Sequence, residues 1–256
     1  MPLIETESLV LKTYNLAEAD RIVVFLTRDH GVVRGVARGA KRLKSRFGST
    51  MELFSVIDLS YFQKEERELV SIQNAELVSS AFGRATSPDY LDTFSYVADL
   101  ILQFALPHDP NETLYRMFKA SLDADAVTPP ELAAVKLYCE LWVLRLAGYL
   151  PDWSRCEDCG RAFGIEENAT LRGGFHLHCQ RCRQGGGIMD VHPVHREIFT
   201  NVQRLKPSDF VGYATGREEA VRGLSLVMKR LIANIVGDPR RQQVQTENSI
   251  QARDAA

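Results

Sequence analysis

The stretch Ser8-Leu-Val-Leu-Lys-Thr-Tyr-Asn-Leu-Ala-Glu-Ala-Asp-Arg-Ile-Val-Val-Phe-Leu-Thr-Arg-Asp-His-Gly-Val-Val-Arg-Gly-Val-Ala37 decides the fold. It reads as three short runs of β-branched and aromatic residues, Ser8–Tyr14, Arg21–Thr27 and Val32–Ala37, punctuated by the turn signals Asn15–Asp20 and Asp29-His-Gly31. Two more runs, Leu53–Phe62 and Leu69–Val78, follow a basic loop and the charged turn Lys64–Glu68. Five strands in so small a segment predict a closed or nearly closed barrel over residues 1–82, since closure removes the free edges that invite aggregation.

Past residue 86 the apolar period lengthens. Tyr90, Phe94, Val97, Ile101 and Phe104 share one helical face, with Ser87 as N-cap and Pro88 at the first helical position. A second helix is predicted from about Asn111 to Leu122. A third begins at Thr128-Pro-Pro-Glu131, which has capping-box spacing, and ends near Gly148 with Pro151 as a stop. Its apolar face, Leu132, Val135, Tyr138, Cys139, Trp142 and Leu146, reads as core, and Cys139 as a small buried hydrophobe. Helical pattern returns at Pro193–Val202 and Arg217–Ile235, and a polar tail from residue 238 is expected to fray. The expected class is α+β: a barrel over 1–82, a helical domain from 83–151 and 191–237, and an insert at 152–190.

Composition narrows the functions. Hydrophobic residues make up 45% of the 256, enough for a sizeable core, and no window approaches the roughly 18 apolar residues of a membrane span. Residues 1–30 lack the pattern of an export signal, so no membrane partner is expected. A net charge of -2 argues against coating nucleic acid through global positive charge. The charge is nevertheless segregated. Between Arg28 and Arg46 lie Arg28, Arg34, Arg38, Lys41, Arg42, Lys44 and Arg46 against Asp29 alone, interleaved with Gly35, Gly39, Ser45 and Gly48. A solvated loop is the plain reading of such a run. Its place on a five-stranded barrel favours nucleic acid, because OB-folds bind single strands with a positive groove and stacking aromatics, here Phe47, Tyr14, Tyr61 or Phe62.

Cys156-x-x-Cys159 and Cys179-x-x-Cys182 lie nineteen residues apart in the Gly-rich insert. Two such turns supply the closed tetrahedral shell that structural Zn²⁺ takes, leaving no open position for a catalytic water. Disulfides or redox chemistry are the competing readings, as is another metal. His176 and His178 stand close enough to substitute as ligands and otherwise read as loop residues.

The quoted stretch from Leu9 to Gly31, followed by Gly35-Val-Ala-Arg-Gly-Ala-Lys-Arg-Leu-Lys-Ser-Arg-Phe-Gly48, resembles the N-terminal domain of the bacterial recombination mediator RecO family. Arg145-Leu-Ala-Gly-Tyr-Leu-Pro151, running into Cys156-Glu-Asp-Cys-Gly160, resembles the family's helix-to-zinc junction. The resemblance implies an OB-fold, a helical body and a zinc finger. It implies binding of single- and double-stranded DNA, annealing of complementary strands, and loading of RecA recombinase in the RecF pathway with RecR and single-stranded DNA-binding protein (SSB). It also implies a cytoplasmic, nucleoid-associated place of action. The family's DNA-binding positions correspond here to Arg34, Arg38, Lys41, Arg42, Lys44 and Arg46, with Lys12 and Arg21 as weaker candidates. Some members lack the zinc cysteines, so zinc is not essential to what the family shares.

Two rival functions compete with this reading. A metal-dependent nuclease needs an open metal shell or paired carboxylates, and His192 and His195 have no evident third ligand. A protein adaptor would use the helical surface; residues 87–150 carry nine acidic and four basic residues, an unsuitable face for DNA.

Overall fold

The computed structural model describes residues 3–63, 68–183 and 185–237. Most of the expected turn at 64–68 and the whole tail from 238 lie outside them. Five strands, β1 (Leu3–Leu16), β2 (Asp20–Thr27), β3 (Val32–Ala37), β4 (Val56–Phe62) and β5 (Leu69–Ser79), close into a barrel in the order β1-β2-β3-β5-β4. Parallel pairing of β3 with β5, through Arg34–Leu69, Gly35–Val70 and Val36–Ser71, completes the closure, an OB-like arrangement. Strand β4 starts at Val56 rather than Leu53. Phe54 adopts a φ of 64°, outside strand geometry, and Leu53 belongs to the preceding turn.

The barrel is buried from two sides. Val10, Val23, Phe25, Val33, Ile57, Tyr61, Val70 and Ile72 fill its interior. Leu9, Leu11, Val24, Leu26, Val32 and Val56 face outward into a second core shared with the helices. The consecutive apolar runs of β1 and β2 are thus explained, because a strand covered on both faces loses polar alternation. A bulge at Leu11 interrupts the β1–β2 register: Val10 pairs with Phe25, but Lys12 already pairs with Val24. Leu9 and Leu11 enter the helical core by ordinary alternation, and the extra residue turns Lys12 and Tyr14 to the outer face as well.

Helices α1 (Pro88–Phe104), α2 (Glu112–Leu122) and α3 (Pro129–Leu146) precede a three-stranded sheet, β6 (Ala169–Leu171), β7 (Leu177–Cys179) and β8 (Met189–Val191), ordered β7-β6-β8. Helices α4 (Pro193–Val202), α5 (Pro207–Ala214) and α6 (Glu218–Gly237) follow. Ser87 accepts from the Tyr90 N–H, and the Glu131 carboxylate accepts from the N–H groups of Val127 and Thr128, so the capping signals operate as read. Helix α3 is the axis of the body, buried well beyond the single face expected of it and packed by α1, α2, α5 and α6. Cys139 is fully buried there.

Glu140 is the exception among these apolar neighbours. Its carboxylate accepts from Tyr96 Oη at 2.8 Å and Ser225 Oγ at 3.1 Å, tying α1, α3 and α6 together. Burial raises its pKa from 4.5 to about 7, against the pull of Tyr96, Lys136 and Ser225. The folded state therefore binds this proton more tightly than the unfolded chain. The associated stability is full below the unfolded value and is lost as pH rises through the folded one.

Polar contacts lock the barrel to the helices. Glu7 of β1 accepts from Tyr115 Oη and Lys119 Nζ, both at 2.8 Å; burial would raise this carboxyl, but the two donors hold it below its ordinary value. Lys12 pairs with Asp99 of α1, and Arg28 with Glu112 of α2 at 2.9 Å. At the β2–β3 turn, Gly31 has a φ of 65°, and a Cβ there would stand 2.3 Å from the Asp109 carbonyl oxygen.

We predict that Gly31→Ala destabilises the protein by about 2–4 kcal/mol through left-handed strain and this collision, measured by urea denaturation. A loss below about 0.5 kcal/mol would refute the close approach. Glu140→Gln, which keeps acceptor and donor capacity, should flatten the stability decline between pH 5 and 8 and stabilise the protein by about 1–3 kcal/mol at pH 8. An unchanged pH profile would contradict the buried-proton account.

Candidate nucleic-acid interface and metal centre

Residues 38–55 connect β3 to β4 as a chain of turns. The loop is a plug as well as a charged surface. Phe47 and Met51 insert into the barrel core, and Phe54 projects the other way, its ring 6.0–6.4 Å from those of Tyr90, Phe94 and Phe118. Phe47 and Tyr61, two of the four aromatics considered for stacking, are core residues unable to meet a base. Burying them was worth more than displaying them; a buried Phe contributes about 1.5–3 kcal/mol.

The loop is also held at the tip of the β1–β2 hairpin. Gly39 N–H donates to Asp20 Oδ1 at 2.8 Å, Lys41 N–H to the Ala19 carbonyl at 2.9 Å, and Lys41 Nζ to the Ala17 carbonyl at 3.2 Å. The eight basic candidates consequently separate. Arg38, Arg42 and Lys44 are exposed and have no ion-pair partner among the described residues. Lys41 is tied to Ala17, and Arg46 lies over the Phe47 ring at 4.8 Å while donating to the Ile72 carbonyl at 3.2 Å. Arg34 faces Glu68 at 3.3 Å, Arg21 faces Glu52 at 3.7 Å, and Lys12 is engaged by Asp99 at the helical junction.

Strand register adds a feature that residue patterns did not reveal. Tyr14 pairs with Ile22 and Ile22 with Val36, and strand alternation places all three on the outer face, since Val23 points inward. Tyr14 is 51% exposed, and Ile22 and Val36 are partly so. Arg34 stands one outward row away, paired with Val24 and Leu69. An aromatic and aliphatic strip on the same barrel as exposed cations can pack against base faces while the cations meet phosphates. The signal was the Leu11 bulge, which sequence periodicity does not disclose.

In the insert, Cys156, Cys159, Cys179 and Cys182 bring their sulfurs within 4.8 Å of one another. The first knuckle is folded by Cys156 N–H donating to the Arg161 carbonyl and Gly160 N–H to the Cys156 carbonyl, with Gly160 at a φ of 67°. The second turns through a Cys182 N–H to Cys179 carbonyl bond, and Cys179 N–H points at Cys156 Sγ at 3.3 Å. The N–H of Cys182 and neighbouring donors pull the Cys179 thiol down to about 6, while hydrogen bonding among the sulfurs pushes Cys182 up to about 12. Such a set resists carrying four thiolates unaided, and a dication removes that resistance. Four convergent sulfurs with N–H support fit a tetrahedral metal site.

His178 is buried, its Nδ1 2.8 Å from Asp158 Oδ2; with Cys156 these side chains make an alternative convergent set. His176 contacts Glu157 at 3.3 Å. His192 and His195 act at the start of α4, where His192 N–H donates to His195 Nδ1, and they join no metal-ligand cluster among the described residues.

The insert is fastened to α4. Trp153 stacks on Phe199 at 4.4 Å and donates from Nε1 to the Phe175 carbonyl. Arg196 donates to the carbonyls of Gly164, Ile165 and Glu167, and Arg161 pairs with Glu167.

Residues 1–81 match the family model described as Recombination protein O N terminal, and residues 88–197 match Recombination protein O C terminal. A DNA repair protein RecO of Koribacter versatilis is 31% identical over 61% of this chain and 63% of its own length. One from Bifidobacterium animalis is 38% identical over 62% of this chain and 67% of its own length. One from Anaeromyxobacter is 29% identical over 64% of each chain. The match thus spans less than two thirds of the first and last of these relatives.

Replacing Cys156 and Cys159 together by Ser is predicted to release bound metal, measured by elemental analysis, and to raise amide exchange in β6 and β7 while leaving the barrel protected. Full metal retention in this variant would exclude the four-sulfur site.

Proposed function

The chain belongs to the recombination protein O family of DNA repair proteins, and from that premise we propose that it works as a recombination mediator without catalytic chemistry of its own. In this reading it binds single- and double-stranded DNA, anneals complementary strands, and with RecR and SSB helps load RecA recombinase on SSB-coated gaps in the bacterial cytoplasm. The observation that carries the proposal is the anchored loop presenting Arg38, Arg42 and Lys44 with no ion-pair partner among the described residues, on the barrel whose outer face carries the Tyr14–Ile22–Val36 strip.

Annealing requires two polyanions to approach, and fixed cations lower that repulsion while releasing condensed counterions. Lys41 and Arg46 lend two more charges whose backbone tethers yield readily to a phosphate. Arg34, Arg21 and Lys12 contribute only after giving up Glu68, Glu52 and Asp99. In this proposal the four cysteines hold Zn²⁺, whose role is to fold the insert, because four protein ligands leave no site for a reacting water.

With about five phosphate contacts, the log-log salt dependence of single-strand binding should have a slope of about -3.5, at about 0.7 per phosphate. Neutralising Lys41, Arg42 and Lys44 together should make it shallower by about 2 and abolish annealing of SSB-coated strands. Annealing with an unchanged slope in this variant would refute the loop as the DNA contact.

A further inference from the structure

Leu43 is the most exposed large apolar side chain among the described residues, at 102% relative exposure, and it sits between the free cations Arg42 and Lys44. The local backbone keeps it there. Arg42 N–H donates to the Gly39 carbonyl at 3.1 Å and Ser45 N–H to the Arg42 carbonyl at 3.0 Å, so residues 39–45 are consecutive tight turns. On one side Lys41 is bonded to the hairpin tip; on the other, Ser45 Oγ accepts from the N–H of Phe47, whose ring is sealed in the barrel. These contacts anchor the chain on both sides of the tip from which Leu43 projects.

We propose that Leu43 is a base wedge: it inserts between adjacent unpaired bases of a single strand whose phosphates are met by Arg42 and Lys44. The inference rests on the DNA-binding reading above and adds a residue to it. A branched apolar side chain displayed between two cations matches the alternation of nucleic acid itself, base faces between phosphates. Apolar side chains that part base steps are an established device of DNA-bending proteins. The arrangement also suits annealing. A contact to the face of a base leaves its Watson–Crick edge free for a complementary strand, whereas a hydrogen bond to that edge would have to break first. In a duplex the same insertion requires unstacking paired bases, so the wedge favours single strands.

The test uses the full chain and single-stranded oligonucleotides carrying 2-aminopurine, whose fluorescence rises when it is unstacked. The parent protein should raise that fluorescence on binding. Leu43→Ala should remove most of the rise and weaken single-strand binding about 5- to 10-fold, with duplex binding and the salt slope unchanged because no charge is lost. Leu43→Met should restore both signals. Parental fluorescence and affinity in Leu43→Ala would overturn the wedge, as would an unchanged DNA response with loss of a protein partner. The outcomes separate this proposal from its premise: the triple charge variant tests the loop through the salt slope, and Leu43→Ala tests the wedge at constant charge.

Discussion

The central stretches of β1 and β2, Ser8–Leu11 and Val23–Thr27, are buried on both faces, and the molecule is arranged around that constraint. Val10, Val23 and Phe25 close the barrel interior while Leu9, Leu11, Val24 and Leu26 supply part of the helical core. At about 25 cal/mol per Å² of buried apolar surface, these outward side chains stabilise the barrel and the helical body together. The ion pairs and hydrogen bonds at Glu7, Lys12 and Arg28 then fix orientation across an interface already held by packing.

The β3–β4 connection meets a second constraint, since it must shut the barrel and show positive charge to solvent. It does so by division along its length: the cations fall before Phe47, and the plugging residues Phe47, Met51 and Phe54 follow. Each buried aromatic pins the backbone from which the exposed side chains project. Rigidity of the charged surface therefore comes from apolar packing beneath it, and less entropy is lost when a ligand is bound.

Much of this architecture is legible in the residues. Five strands, the helical starts at Ser87 and Thr128, the buried Cys139 and the four-cysteine cluster all follow from local rules of spacing and capping. What escaped depends on tertiary context. The Leu11 bulge is invisible to periodicity because both neighbouring faces are apolar, and it alone determines that Tyr14 and Lys12 point outward. Strands β6 to β8 have three residues each, too few to show alternation, and α5 has only eight residues, anchored by Pro207, Phe210 and Ala214. Phe47 looked available because a loop aromatic carries no mark of the core it enters. The basic residues are countable in the sequence, but only the folded chain distinguishes Arg42, which has no ion-pair partner among the described residues, from Arg21, which faces Glu52.

The parallel β3–β5 junction has a mechanical consequence. Its register runs only from Arg34–Leu69 to Val36–Ser71, whereas β1 and β2 pair from Ser8–Thr27 to Leu16–Asp20. The start of β3 is braced by the α1–α2 connection, where the His108 N–H donates to the Val32 carbonyl at 3.2 Å, but the pairs with β5 lie beyond that brace. The barrel is therefore a clasp rather than a uniform ring: a fixed jaw of β1 and β2 set in the helices, and a short latch at β3 and β5. A ladder of three pairs has fewer backbone hydrogen bonds to break than the eight-pair ladder of β1 and β2, so local opening of the ring costs least at the latch.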